Sequence, residues 1–403
     1  MVAPKIHSSG EDFTPGDPSN TACATFAPAK PPVSELAKYR LLAPAAGVRV
    51  SPFCLGAMGL GQQWTGAMGG NGPTPAESEE ILDVYYEAGG NFIDTASNYQ
   101  DEQSEHIVGD WMAKRQNRDE IVLATKYTTF ALNKKEGVYE GIGINYGGNS
   151  RKAMMLNLEA SLRRLKTTYI DLYYIHWWDW TTPIAEVMQS LNQLVTSGKV
   201  LYLGISDTPA WIVSKANEYA RQNNLAQFVV YQGLWSLANR DMERDIIPMT
   251  RSEGMSIAPY GVLGQGKFKP PGELKAKADK WRLGKAPTEN EVKSAAALLE
   301  VTEEIGNGVT QTTVALAWAR QTVAHTIPII GGSSKPQLLA NIESLKVTLT
   351  RKQMERLTSA VPFDHGFPSG IFGVDPHYND DGNPLFWGQK AAGHLQFTKP
   401  ASY

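Results

Sequence analysis

The chain is 403 residues long, 42% hydrophobic, with a formal charge of -3 and two cysteines. That length and apolar content suffice for a large core, in one barrel domain with additions or in two domains, while the near-neutral charge lacks the electrostatic footprint of a nucleic-acid binder and points to a small-molecule partner. Cys23 and Cys54 make neither a disulfide framework nor a zinc spacing, so a reducing compartment, the cytosol, is expected.

Residues 1–34 are rich in Pro, Ser, Ala and Thr without a signal-peptide core, and are expected to form a disordered arm. No run approaches the ~18 apolar residues of a membrane helix. Tyr39 to Ser51 reads as a hairpin able to plug the bottom of a barrel, and Phe53-Cys54-Leu55-Gly56 as a first strand. Helical patterns follow at Pro75 to Ala88, Gln103 to Ala113, Arg151 to Leu165, Pro183 to Ser197, Pro209 to Gln222 and Met242 to Ser252, the last interrupted by Pro248. Between them lie strands at Phe92-Ile93, Leu123 to Lys126, Leu172 to His176, Leu203 to Asp207, Val229 to Gln232 and Met255 to Ala258. Two more helices, Glu289 to Ile305 and Thr310 to Ala324, are divided by Gly306-Asn307-Gly308, with Thr310 as an N-cap. An eighth strand is expected at Thr326 to Ile330, with an internal proline, and a helix at Arg351 to Ala360.

Eight strands alternating with helices predict an α/β protein of the closed parallel (β/α)8 TIM-barrel type, with an open doubly wound sheet as the alternative. The barrel is favoured because five consecutive strands end on polar side chains, Asp94, Lys126, His176, Ser206 and Gln232, the position from which barrel sites are built. The barrel is expected over residues 35–361, with an aromatic tail at 362–403 folded back on it. Three segments exceed ordinary loop length, Gln62 to Thr74, Tyr127 to Ser150 and Gly261 to Thr288, and are expected to wall a pocket.

Asp94, Tyr99, Lys126 and His176 form the candidate catalytic set. Singly, each has an ordinary use: a capping carboxylate, a pocket phenol, a solvated strand end, a packed imidazole. Together they make a general acid/base for a carbonyl or carbinol. Lys126 is expected to lower the Tyr99 pKa by roughly two to three units, Asp94 to hold Lys126 charged, and His176 to orient the substrate oxygen or share its proton.

Such chemistry requires a hydride source, hence a nicotinamide site. No Rossmann fingerprint is present. Ser206, Asp207 and Gln232, with Asp94, suit a carboxamide, and Trp235 offers either a flat face for the nicotinamide ring or a core side chain. For the pyrophosphate there are two candidates, each also readable as an ordinary turn. One is the glycine-rich run Gly261, Leu263, Gly264 and Gly266 with Lys267 as charge partner. The other is Gly331-Gly332-Ser333-Ser334-Lys335, where a strand opens into a helix. No metal site is expected.

The sequence resembles the aldo-keto reductase family over roughly Tyr39 to Pro362. The matching motifs are Asn91-Phe92-Ile93-Asp94-Thr95-Ala96 with Tyr99, Ala124-Thr125-Lys126, Asp171-Leu172-Tyr173-Tyr174-Ile175-His176, Gly204-Ile205-Ser206-Asp207, and Ile329-Ile330-Gly331-Gly332 with Gln337 and Asn341. The resemblance implies a (β/α)8 barrel and NADPH-dependent carbonyl reduction, with Tyr99 as proton donor, Asp94 and Lys126 tuning it, and His176 orienting the substrate. Gly198 to Gly204, Ser206 to Trp211, Asp241 to Pro248 and Pro362 to Pro368 look most like the fungal aryl-alcohol dehydrogenase and norsolorinic acid reductase branch, which implies aromatic aldehydes, ketones or alcohols as substrates. Trp64, Trp211 and the Trp-rich run after His176 are compatible with stacking on such rings. Where that branch usually shows Arg-Lys after the paired glycines, this sequence has Ser333-Ser334, so weakened discrimination between NADPH and NADH is expected. Two rival readings remain, a nicotinamide-binding redox-sensing subunit with little turnover and, last, a metal-dependent hydrolase.

Overall fold

The structure, a computed structural model, describes residues 29–70, 72–130, 141–269, 285–332, 334–375 and 391–394. Residues 1–28 of the expected N-terminal arm, Ser333 and much of two long loops and the tail lie outside the described residues, while Ser34 at the arm's end donates to Ala88 O at 2.7 Å.

Two strands, β1 (Arg40–Ala43) and β2 (Ala46–Val50), pair antiparallel as the expected hairpin. Eight more build one parallel sheet: β3 (Cys54–Gly56), β4 (Phe92–Asp94), β5 (Val122–Tyr127), β6 (Ile170–Ile175), β7 (Val200–Ser206), β8 (Phe228–Leu234), β9 (Ser256–Tyr260) and β10 (Ile329–Ile330). The order β10-β3-β4-β5-β6-β7-β8-β9 is sequential round the sheet. The two ends meet where Ile257 bridges Thr326, with Ile327 N donating to Ile257 O at 2.9 Å. A doubly wound sheet would reverse its strand order midway, so the barrel is the architecture. The eighth strand is shorter than expected: Pro328 offers no N–H, and only Ile329 and Ile330 pair with β3.

Period two divides each strand between two cores. Phe92, Val122, Ala124, Leu172, Tyr174, Val230 and Ala258 face inward, where Leu42, Ala43, Ala46 and Val50 of the hairpin fill the bottom of the barrel. Ile93, Leu123, Tyr173, Leu203 and Ile257 face outward onto the helices. The same parity sends Asp94, Lys126, His176, Ser206, Gln232 and Tyr260 inward at the upper end.

The helical shell follows the expected order. Three helices start with capping boxes, Thr74 with Glu77, Thr288 with Glu291 and Thr350 with Gln353, which satisfy amide groups that have no intrahelical acceptor. The helix expected at Met242 to Ser252 is divided: a short turn spans Asp241–Glu243 and the helix runs only over Ile246–Ser252. Pro248 therefore falls in the first turn, where its missing N–H costs nothing. At the start of the tail, Phe363 lies 4.8 Å and 4.9 Å from the guanidinium carbons of Arg240 and Arg244, and Arg244 Nε donates to Asp364 O at 2.9 Å.

Gly109, in the helix Gln103–Arg115, is where two helices touch through backbone: a Cβ there would stand 2.2 Å from Arg164 O and 2.7 Å from Leu165 Cα. Backbone cannot rotate away as a side chain can. We expect Gly109→Ala to destabilise the barrel by about 3 kcal/mol, read as a lower urea midpoint; an unchanged midpoint would show that these helices separate freely.

Candidate active site

The centre of the barrel mouth is a buried ion pair. Lys126, fully enclosed, donates from Nζ to Asp94 Oδ2 at 2.6 Å, to Thr95 O at 2.8 Å and to the Tyr99 hydroxyl at 3.3 Å. Gln232 Nε2 donates to Asp94 Oδ1 at 3.0 Å, so both carboxylate oxygens are bound. The Tyr99 ring meets the His176 ring edge-on at 5.7 Å and the Trp64 ring at 6.2 Å. The four expected catalytic residues, drawn from positions as far apart as 94 and 176, thus form one cluster.

Tyr99 leads into a turn in which three successive non-glycine residues are left-handed, Gln100 (φ 53), Asp101 (φ 48) and Glu102 (φ 78). Each is tied down by its side chain. Gln100 Nε2 donates to Met58 O at 2.8 Å while its Oε1 accepts from Trp64 N at 2.8 Å. Asp101 accepts from Trp64 Nε1 at 3.1 Å, and Glu102 from Arg164 at 3.2 Å. The turn therefore anchors both the phenol and the loop that carries Trp64.

The electrostatics correct one expectation. Burial pushes the Tyr99 pKa up, Lys126 pulls it down, and Asp94 pushes it up again; the net result lies above the usual tyrosine value, not below it. Lys126 supplies less field than a lone ammonium because Asp94 is bound to it. Burial likewise opposes the charge of Lys126, but Asp94 and the Tyr99 oxygen outweigh that and raise its pKa. His176, losing hydration and facing Lys126, falls to about 3. Near neutrality the site therefore holds a protonated phenol, an ammonium and a neutral imidazole.

A pH dependence follows. Carbonyl reduction should show no limb from His176 and should fall on the alkaline side as Tyr99 loses its proton; on the acid side the nearest titration is that of Asp207, which burial raises to about 6, so a limb there that persists in Asp207→Asn would contradict this. For stability, the unfolded chain binds a proton at His176 below its ordinary pKa of ~6.5 that the folded state refuses until about 3. His176 by itself thus lowers stability as pH falls through that window, while Asp207, raised by burial to about 6, contributes in the opposite sense between about 6 and its ordinary ~3.9. Denaturation of the parent and of His176→Gln at neutral and mildly acidic pH isolates the His176 part.

The expected cofactor residues divide. Ser206 is buried at the mouth beside Gln232, its register partner on β8, and Asp207 (φ 40) accepts from the Tyr260 hydroxyl at 3.2 Å and 3.1 Å. Gly261, Gly264 and Gly266 are all left-handed, and Leu263 directly precedes the short turn Gly264–Gly266. Asn341 Nδ2 donates to Gly331 O at 3.0 Å, steadying the entry to Gly332. The helix Lys335–Glu343 begins at Ser334 without a side-chain cap, with Lys335 and Gln337 exposed on its first turn. Ser333 lies outside the described residues.

Two expectations are overturned. Trp235 is fully buried, its ring 4.8 Å from that of Trp318 and tilted 36° to it, and donates to Glu243 at 3.0 Å, so its faces are closed to a nicotinamide. Lys267 is 5% exposed and held by both Glu291 oxygens at 3.0 Å and 3.1 Å, which pins the loop to the helix Glu289–Ile305 and occupies the charge expected for a phosphate. The aromatic face that Trp235 lacks is offered instead by Tyr260, half-buried at the end of β9. Thr129, whose Oγ1 lies 3.2 Å from His176 Nδ1, was also absent from the expected set. Among the described residues no three His, Cys, Asp or Glu side chains are grouped as metal ligands, and no helix is long and apolar enough to cross a membrane.

An eight-stranded parallel barrel with a lysine, carboxylate, phenol and imidazole at the C-terminal ends of its strands defines an oxidoreductase of carbonyls and carbinols, and the chain belongs to the aldo/keto reductase family, whose profile matches residues 52–362. Aldo-keto reductases work with nicotinamide cofactors. Among its relatives, norsolorinic acid reductase B of Dothistroma septosporum is 50% identical over 333 residues, 82% of this chain and 83% of that one. A putative aryl-alcohol dehydrogenase of Saccharomyces cerevisiae is 47% identical over 366 residues, 89% and 96% of the two chains. The NADP(+) aryl-alcohol dehydrogenase of Phanerodontia chrysosporium is 45% identical over 380 residues, 92% and 96%.

Proposed function

We propose that the protein reduces aromatic aldehydes or ketones, or oxidises the corresponding alcohols, with NADP(H), in secondary metabolism or the detoxification of aromatics. The observation that carries this reading is the contact of Tyr99 with Lys126 at 3.3 Å, inside a wall that includes Trp64 and His176. When bound, the nicotinamide supplies or accepts the hydride. The residues at the mouth fit such a group: left-handed glycines let backbone amides approach a pyrophosphate, and the helix start at Lys335 favours an anion. Ser206, Asp207 and Gln232 would hold the carboxamide, Tyr260 would lie against the ring, and Gly332, Ser334, Lys335, Gln337 and Asn341 would receive the nucleotide end.

Lys126 donates to the Tyr99 oxygen, so the phenol's own proton is directed elsewhere, toward a substrate oxygen. Asp94 keeps Lys126 charged while that proton moves. His176, neutral, hydrogen-bonds the same oxygen and orients it. The relatives' names support aromatic substrates, and the aromatic walls support them independently.

The test is a screen of aromatic aldehydes, ketones and alcohols, following nicotinamide absorbance with NADPH and NADH. Multiple turnover on an aromatic carbonyl is expected, which a redox-sensing subunit would not give. With Ser333-Ser334 in place of an arginine fork, the NADPH preference should be no more than about tenfold. Silence across the screen would overturn the substrate class; a strong NADPH preference would overturn only the cofactor statement.

A further inference from the structure

His176 is neutral at working pH, so one ring nitrogen bears a proton and the other bears a lone pair. Which is which decides whether the ring attracts or repels a carbonyl oxygen. We infer that Thr129, held by Trp177, fixes His176 in the Nε2–H tautomer; the inference rests on the carbonyl chemistry proposed above and names the residue that positions its imidazole.

Three atoms carry the assignment. Trp177 Nε1 reaches Thr129 Oγ1 at 3.1 Å, and Thr129 Oγ1 reaches His176 Nδ1 at 3.2 Å. An indole nitrogen can only donate, so Thr129 Oγ1 is the acceptor in that bond. Its own hydroxyl proton then needs an acceptor, and His176 Nδ1 is the partner found among the described residues. The reverse arrangement, Nδ1–H donating to Oγ1, would give that oxygen two donors and turn its proton out to solvent, since Thr129 is only half-buried; the arrangement in which Oγ1 accepts once and donates once closes the chain within the protein. With Nδ1 as acceptor, the ring proton resides on Nε2, the nitrogen that Thr129 does not engage.

The backbone is bent to make this contact. Thr128, a β-branched residue, stands at φ 93, a conformation such residues rarely adopt and one that marks stored strain. It is held there by three bonds: its Oγ1 donates to Asn149 Oδ1 at 2.7 Å, and Gly148 N and His176 N donate to its O and Oγ1 at 2.8 Å and 3.3 Å. Asn149 is in turn clamped by Asp179, which accepts from its N at 2.8 Å, and reaches Trp177 O at 3.3 Å. One small framework thus aims Thr129 and Trp177 at each other and at the imidazole.

The test labels the seven histidines with 15N in the full chain and reads the His176 ring nitrogens, assigned by loss in His176→Gln, in the absence of substrate and cofactor. The wild-type protein should show a lone-pair Nδ1 and a protonated Nε2. Thr129→Val, which keeps the shape and removes the hydroxyl, should shift the ring toward a mixture, and Thr129→Ser should restore it. In parallel, kcat/KM for carbonyl reduction should fall on the order of tenfold in Thr129→Val, with cofactor affinity unchanged, and stay within about threefold in Thr129→Ser. A protonated Nδ1 in the wild-type protein, or an unaltered Thr129→Val spectrum, would overturn the inference; should Thr129→Val fail to fold, the wild-type spectrum alone decides. A shifted tautomer with unchanged kcat/KM would uphold the role of Thr129 and overturn that of His176 in orienting the carbonyl.

Discussion

Tyr99→Phe should lower kcat for carbonyl reduction by roughly a thousandfold, within the range expected for loss of a general acid, while leaving cofactor affinity as it was. The substitution removes one oxygen and keeps the ring, so the edge contacts to Trp64 and His176 persist and the pocket keeps its shape. What is lost is the proton held ready by a phenol whose pKa lies above its ordinary value. Single-turnover rates and a fluorescence titration of the cofactor separate the two effects. A variant retaining more than about a fifth of the activity would require another proton donor.

Asp94→Ala should be the most destabilising single change in the mouth, by about 3–5 kcal/mol, because it leaves the fully buried Lys126 ammonium without a counter-charge. Adding Lys126→Met should recover much of that stability, since an apolar pair of similar volume often matches a buried ion pair. It should not recover turnover, because Tyr99 would have lost its charged neighbour. Denaturant midpoints and steady-state rates on the three proteins report both axes. An Asp94→Ala protein as stable as the parent would mean that Lys126 sheds its proton or reaches water more easily than its enclosure implies.

Much of the site was legible because one rule generates it: a parallel strand in a barrel ends at the mouth, and every second residue faces in. Asp94, Lys126, His176, Ser206 and Gln232 obey that rule, and their strands were recognisable by apolar runs. The same rule, applied further, would have removed Trp235, three residues after Gln232 and therefore on the opposite face. It would also have supplied Tyr260, two residues after the inward-facing Ala258. The strand expected at Met255 to Ala258 stopped two residues short of it, whereas β9 runs to Tyr260. Lys267 was misjudged because its partner, Glu291, lies beyond a long loop, and spacing says nothing about such a pair. The direction of the Tyr99 shift depends on how deeply the ring is enclosed and how closely Asp94 binds Lys126, neither of which a linear sequence encodes. Thr129 depends on a hydroxyl direction created by the unusual backbone of Thr128.

The left-handed run from Gln100 to Glu102 has a cost for anyone seeking a more heat-resistant variant. L-residues in that conformation each sit about 1–2 kcal/mol above the right-handed alternative, so glycine at any of the three would relax the backbone. Yet each side chain is also a tether, to Met58 and Trp64, to Trp64 again, and to Arg164. Ruggedness gained there would be exchanged for a looser wall beside the acid, which places the durability of this enzyme and its selectivity in direct competition at three adjacent codons.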